Sequence, residues 1–219
     1  MKNFKRFLIL FVLFTIYILF SLVSYSNAVS EDISNNVFRL HVIANSNSEE
    51  DQNLKYKVRN ALIEYMNSIS KGVSSKEEAI KIAEENKENF YNIAKKVVND
   101  NGFNYDVNIK IGNFSFPTKT YGDISLPAGF YDALKVEIGK ANGKNWWCVM
   151  FPSLCFVDVS EGIVPDESKE DLQSNLQEEE YNLISSDDLE FQVKFKLVEL
   201  FENAKIIMAN KGYTGTPSF

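Results

Sequence analysis

Apolar and polar residues alternate along three segments of the chain, which predicts β-strands that each bury one face. A fourth segment is apolar on both faces and holds both tryptophans, which is typical of a strand inside a sheet. In the first strand, Arg39 and His41 lie on the face opposite the apolar residues, so we expect them on a polar face of the sheet. The predicted strands cover residues 37–44, 105–111, 131–138 and 146–151.

Apolar residues recur every three or four positions in three further segments, which predicts amphipathic helices. Two of these segments open with a serine followed three residues later by an acid, a helix-capping pattern. The predicted helices run from Ser48 to Gly72, from Ser75 to Gly102 and from about Asp187 to Gly212.

The order of these elements is β-α-α-β-β-β-α, and it predicts the fold class. Asn142-Gly143 is a hairpin signal, so we expect the strands on either side of it to be antiparallel neighbours. Strands with one polar face favour an α/β (α+β) fold. Specifically, we expect a two-layer sandwich with a mixed sheet of about four or more strands and helices mainly on one face. The acidic segment 161–186 lacks periodicity and is predicted to be a loop, and residues 213–219 form a tail.

The N-terminus has the layout of an export signal. Three basic residues within the first six positions precede the uncharged run Phe7–Phe20, and small residues precede Ala28. Cleavage after Ala28 would remove the signal peptide 1–28 and leave one globular domain, 29–212. A retained membrane anchor is the alternative, because the apolar run is close to the length that spans a bilayer. In either case we expect the domain to be extracytoplasmic.

The charge of the chain argues against two classes of partner. Its net charge is −7 at pH 7, and loss of the basic N-terminus would make it more negative. Such a surface repels phosphate backbones, so we expect no nucleic-acid binding. It also repels anionic lipid headgroups, so we expect membrane contact only through the signal segment or a receptor.

The sequence offers little catalytic chemistry. His41 is the only histidine, so a nucleophile–histidine device would have to use it. A Gly-x-Ser-x-Gly elbow, a phosphate loop and a dinucleotide fingerprint are all missing from the sequence. We therefore expect no catalytic residues, no metal and no cofactor. An exported hydrolase that acts on cell wall or peptide through His41 is the alternative.

The two cysteines, Cys148 and Cys155, flank Pro152. A turn at the proline would bring the thiols together, and a disulfide can persist in an exported chain. Two buried free thiols fit the same pattern, so both states remain open.

Two blocks of the sequence resemble one family, the stage II sporulation protein R family of endospore-forming bacteria. The first block is Arg39–Ser46 with Glu50–Gln52 and Lys57–Arg59, and the second is Tyr121-Gly122, Leu126–Gly129 and Asn145–Asp158. The resemblance covers roughly residues 35 to 210. Met150 and Ser153 stand where the family often has leucine and a second proline, and the segment 161–186 holds no matching block.

The resemblance implies a signalling protein, and not an enzyme, that is made in the forespore and exported into the space between the two sporulation membranes. There it would activate a membrane-embedded aspartic protease of the mother cell, which cleaves the sigma-E precursor. As a hypothesis, we assign the partner contact to the polar face, the adjacent turn and the exposed part of the tryptophan strand, because aromatic and arginine residues dominate interfaces. The assigned residues are Arg39, His41, Asn45, Asp51, Gln52, Trp146, Trp147, Phe151 and Pro152.

Overall fold

The structure, a computed structural model, describes residues 2–154, 164, 166–185 and 189–212. The helices in this part of the chain are α1 (Lys2–Asn36), α2 (Glu49–Ile69), α3 (Lys76–Glu85), α4 (Lys87–Asp100), α5 (Asp166–Asn175), α6 (Glu178–Ser185) and α7 (Leu189–Gly212). The strands are β1 (Phe38–Ile43), β2 (Val107–Phe116), β3 (Lys119–Tyr121), β4 (Ile124–Leu126), β5 (Gly129–Ile138) and β6 (Asn145–Phe151).

Both predicted helix caps are present. Ser48 Oγ accepts a hydrogen bond from the backbone N–H of Asp51 at 3.2 Å, and Ser75 Oγ accepts one from Glu78 at 3.2 Å. The second predicted helix is divided at Asn86, which separates α3 from α4. The Asn86 side chain donates to the carbonyl of Ile82 at 2.9 Å, and such local side-chain bonds compete with a regular helix.

The fold class is confirmed, because the strands form a mixed four-stranded sheet in an α+β protein. The strand order is β2-β5-β1-β6, and a separate two-stranded sheet pairs β3 with β4. β1 runs parallel to β5 and antiparallel to β6, and β2 runs antiparallel to β5.

The prediction that β5 and β6 form a hairpin is wrong, because β1 lies between them. The N–H of Gly143 donates to Ala44 O at 2.9 Å, and the N–H of Asn142 donates to Asn45 O at 3.2 Å. The turn therefore bonds to the end of β1 and carries the chain across it. As a result β6, which was predicted inside the sheet, is an edge strand among the described residues.

A first core cluster lies between one face of the sheet and the helices α2, α3 and α4. The sheet contributes the apolar faces that alternation predicted, with Leu40 on β1 and Val136 on β5 both fully buried. The helices contribute Leu62, Ala83 and Phe90, which are at most 2 % exposed. The helical layer predicted on one face is thus present.

A second core cluster covers part of the opposite face, where the sequence predicted a polar surface. It joins Phe116, Tyr131 and Val149 of the sheet to the last turns of α1 and to α5, α6 and α7. All six residues of β1 are buried as a result, and the expectation that Arg39 and His41 lie on an exposed face is wrong.

The predicted acidic loop 161–186 is helical over residues 166–175 and 178–185, so that prediction is wrong for these ranges. Its apolar residues Leu172 and Ile184 are buried in the second core cluster, whereas most of its described acids are exposed and Glu180 is buried. Packing of sparse apolar residues has thus stabilised helices that show little periodicity. Residues 161–163, 165 and 186, and the predicted tail 213–219, lie outside the described residues.

The N-terminal helix α1 has two parts with different surroundings. Apolar side chains of its first part, such as Phe7 and Phe20, are more than 60 % exposed. By length and composition alone, the span Phe4–Asn36 is apolar enough to cross a membrane. Val29 and Ile33, in the second part, are buried in the second core cluster. Cleavage after Ala28 stays a prediction, as does retention as an anchor.

Substitution of Gly143 tests the crossing of the turn over β1. A Cβ at this position would lie 2.1 Å from the carbonyl oxygen of Ser46 and 2.8 Å from Ala44 Cβ, so the backbone would have to shift. We expect Gly143→Ala to lower the free energy of unfolding by about 3 kcal/mol, measured by urea denaturation. The control is Gly112→Ala, whose Cβ would meet no atom closer than 3.7 Å. Equal urea midpoints for the two variants would contradict the observed strand order.

Candidate functional site

Arg39 is a core residue that is enclosed by aromatic rings. Its side chain is fully buried, and its guanidinium carbon lies 4.2 Å from the ring centroid of Phe116 and 4.6 Å from that of Tyr131. Nη2 donates to the hydroxyl of Tyr121 at 2.8 Å, whereas Nε and Nη1 have no hydrogen-bond partner among the described residues. A guanidinium is weakly hydrated and stacks on aromatic faces, which makes this burial tolerable. Arg39 is therefore inaccessible to a partner.

Tyr121 connects this buried cation to the edge of the sheet. Its hydroxyl accepts the bond from Arg39 and donates to the backbone carbonyl of Trp147 at 3.2 Å. Burial raises the pKa of Tyr121 above its ordinary value, against the opposing effect of Arg39. The tyrosine therefore stays neutral and holds β3 against β6.

His41 is also buried, at 6 % exposure. Its ring stacks on Trp147 with centroids 3.6 Å apart, and Nε2 lies 2.8 Å from Oδ1 of Asn145. Burial lowers the pKa of His41 to about 4, although the hydrogen bond to Asn145 acts in the opposite direction. The ring is therefore neutral at pH 7 and packs as part of the fold.

Asn45 and Asp51 stabilise the turn between β1 and α2. Asp51 is 4 % exposed and accepts hydrogen bonds from Asn45 Nδ2 at 2.8 Å and from Ser46 Oγ at 2.5 Å. Burial acts to raise the pKa of Asp51, but the hydrogen bonds from Ser46 and Asn45 outweigh it and hold the pKa below its usual range. Gln52 donates to the carbonyl of Ser46 at 2.8 Å and reaches the surface beside them.

An open cleft of about 330 Å³ lies where α2, the β3–β4 hairpin and β6 meet. We call it the β6 cleft. Its aromatic lining comprises Tyr56, Tyr121, Trp146 and Trp147, and its cationic lining comprises Lys55, Lys119 and Lys144. Aromatic surface and positive charge are therefore concentrated in one place on an acidic protein.

The β6 cleft gathers only some of the residues predicted to contact a partner. Gln52, Trp146 and Trp147 line it. Phe151 and Pro152 line a separate depression at the other end of β6. The remaining predicted residues, Arg39, His41, Asn45 and Asp51, are packed behind the cleft or in the turn beside it.

The sequence reasoning missed the cations of the cleft. Lys55 is 1 % exposed, and its Nζ donates to Gln52 Oε1 at 2.7 Å and to the carbonyl of Lys144 at 3.3 Å. Burial, together with the charges of Arg59 and Lys144, lowers the pKa of Lys55 to about 8. Arg59 lies beside the cleft, with its guanidinium carbon 4.1 Å from the ring centroid of Trp146. The spacing of Lys55 and Arg59, four residues apart on α2, was the available signal.

Cys148 is buried and disulfide-bonded. The second cysteine of the predicted bridge, Cys155, lies outside the described residues. Their pairing therefore stays a prediction, although the thiol of Cys148 is not free.

Comparison with known proteins identifies a family that matches this chain. A model of the stage II sporulation protein R (spore_II_R) family matches residues 34–161, more than half of the chain. The chain belongs to this family. A curated relative, "Stage II sporulation protein R" of Bacillus subtilis (strain 168), is 37 % identical over 147 residues. That alignment covers 67 % of this chain and 66 % of the relative, just under two thirds of its length. No solved structure matches the chain.

The region that matches the stage II sporulation protein R family contains every residue that lines the β6 cleft. The helices α5, α6 and α7 lie beyond it. The cleft therefore belongs to the part of the molecule by which the family is recognised.

The burial of His41 predicts a specific pH dependence of stability. The pKa of its ring rises from about 4 in the folded state to the ordinary 6.5 on unfolding. Between these values the unfolded chain binds a proton that the folded chain excludes, so stability falls as pH falls. We expect the free energy of unfolding to change with a slope approaching 1.4 kcal/mol per pH unit. Urea denaturation at several pH values between about 7 and 5 measures it, above the range where most carboxylates titrate.

The comparison variant is His41→Gln, which keeps a polar side chain but does not titrate. Because His41 is the only histidine, this variant should show a nearly flat profile over the same range. Equal slopes in the two proteins would show that the ring is not the source.

Proposed function

We propose that this chain is an exported signalling protein of endospore formation that activates a membrane-embedded aspartic protease of the mother cell. The activated protease then processes the sigma-E precursor. On this proposal the forespore makes the chain and exports it into the space between the two sporulation membranes, where its folded domain meets the protease.

Family membership is the observation that carries the proposal, because it gives the chain a role in sporulation. The exposed apolar part of α1 is compatible with a signal peptide and so supports export. The acidic balance of the domain supports a protein partner over an anionic membrane or a nucleic acid.

The β6 cleft is the surface best suited to contact the protease. Trp146 packs against Arg59 and against the edge of the Tyr56 ring, with centroids 5.5 Å apart. Tyr56 is 37 % exposed, so part of this aromatic group faces solvent. Tryptophan, tyrosine and arginine are the residue types that contribute most to binding at protein interfaces.

The alternative, a hydrolase that uses His41, receives no support from the geometry. A general base must reach the proton that it removes. His41 instead stacks under Trp147, and Nε2 is engaged by Asn145. The described residues also contain no group of three or more potential metal ligands.

Reconstitution in a non-sporulating bacterium tests the proposal. The full chain, the protease and the sigma-E precursor would be co-expressed, and precursor size followed by immunoblotting. We expect cleavage only when all three are present. An uncut precursor, with the protease inserted and the chain exported, would contradict direct activation.

Substitution of Trp146 tests the contact surface in the same assay. We expect Trp146→Ala to weaken protease binding by about 2 kcal/mol, roughly 30-fold in affinity, and to reduce processing accordingly. The control is Tyr91→Ala on α4, which removes an aromatic ring that is 40 % exposed far along the chain from the cleft. Resistance of each exported variant to digestion by added trypsin would show that the variant is folded. Normal processing by folded Trp146→Ala would remove the cleft from the interface.

A further inference from the structure

The cations around the β6 cleft differ from many other basic residues of this protein in their electrostatic partners. Most other lysines of the folded domain form ion pairs, for example Lys110 with Glu137 at 2.9 Å and Lys76 with Asp132 at 2.7 Å. In contrast, the described residues offer no ion-pair partner to Lys55, Arg59, Lys119 or Lys144. In a chain of net charge −7, four cations around one cleft that have no acidic partner among the described residues favour an anionic ligand.

Lys55 shows this most clearly, because it is 1 % exposed and surrounded by neutral or positive groups. Its two hydrogen-bond acceptors are an amide oxygen and a backbone carbonyl. Burial of an unpaired charge costs free energy, which a neighbouring anion would offset. An anion bound in the cleft would therefore pair with this buried charge and stabilise it.

The aromatic side of the cleft also contains a hydrogen-bond donor that is not satisfied by the described residues. Trp146 Nε1 is buried without a hydrogen-bond partner among the described residues. The indole N–H is a donor only, and buried donors are normally satisfied. A ligand that brings oxygen acceptors next to apolar surface would fit both the indole and the lysines.

We propose that the β6 cleft binds an acidic peptide segment of the partner protein. The carboxylates of this segment would pair with Lys55, Lys119 and Lys144, and an adjoining apolar side chain would pack on the tryptophans. The identification of this segment as part of the protease rests on the proposed function, whereas the chemistry of the cleft does not.

Size and charge favour a peptide over an anionic lipid surface. A cleft of about 330 Å³ is at the lower end of the range for ligand pockets, and it suits inserted side chains. A membrane surface would instead require a broad basic face. Beyond the cleft rim, the exposed acids Glu49 and Glu50 open the same helix that carries Lys55. Such acids would be repelled by anionic headgroups.

Tryptophan fluorescence tests this inference directly, because both tryptophans of the chain line the cleft. The full chain would be placed in phosphatidylcholine nanodiscs and titrated with a soluble copolymer of glutamate and alanine. A copolymer of glutamine and alanine would serve as the neutral comparison. We expect a saturable change in emission with the acidic copolymer alone.

Charge reversal inside and outside the cleft separates a specific site from general attraction. We expect the double variant Lys119→Glu with Lys144→Glu to bind the acidic copolymer more weakly, so that the half-saturation concentration rises at least tenfold. Lys71→Glu with Lys81→Glu makes the same change in net charge at exposed positions away from the cleft and should alter it less than twofold. Equal effects of the two pairs, or no saturable change in the parent chain, would overturn the proposal.

Vesicles that contain phosphatidylglycerol test whether the cleft binds an anionic lipid surface instead. A change in emission with these vesicles and none with the acidic copolymer would assign the cleft to lipid and overturn the peptide. The assay contains neither protease nor precursor, so its result is independent of the processing experiment. If the chain binds the acidic copolymer but the precursor is not processed, the cleft keeps its acidic-peptide ligand and the proposed activation is refuted. If the precursor is processed but the copolymer does not bind, only the proposal about the cleft is refuted.

Discussion

The buried guanidinium of Arg39 is the constraint on which the rest of the structure depends. A cation on the central strand of a sheet is costly to remove from water, and here no carboxylate of the described residues pairs with it. It is stabilised by the faces of Phe116 and Tyr131 and by the hydroxyl of Tyr121. These side chains come from β2, β5 and β3, so the enclosure forms only when those strands and the second helical layer are assembled around β1.

The same enclosure shapes the candidate site. Tyr121 bonds Arg39 on one side and the carbonyl of Trp147 on the other, so the β3–β4 hairpin is held against the edge strand. The opposing wall comes from α2, which is positioned by its Ser48 cap and by the hydrogen bonds to Asp51. The cleft between these walls is therefore built from rigid elements, and its cations are presented on a pre-formed surface. Pre-formed sites bind with a smaller entropic cost than sites that must first be ordered.

Sequence periodicity predicted the features that depend on neighbouring residues. The features that it missed depend on contacts between residues far apart in the chain. The caps at Ser48 and Ser75 and the apolar faces of the strands depend on neighbouring residues, so they were visible. The hairpin signal at Asn142-Gly143 misled because its N–H groups bond to the end of β1, about a hundred residues earlier. Arg39 and His41 were interpreted as solvent-facing because their aromatic neighbours lie far away in the chain. Likewise, the tryptophans indicated a site. Only the three-dimensional structure shows that, among the described residues, its cations have no acidic partners.

The most direct test of the account is photocrosslinking from inside the β6 cleft during co-expression with the protease. A benzoylphenylalanine in place of Thr120, which lines the cleft and is exposed, leaves the cations intact. The account predicts a crosslink from this position to an acidic extracytoplasmic segment of the protease, and none from the same probe in place of the exposed Lys81. A crosslink from position 81 and none from position 120 would place the contact elsewhere and contradict the account.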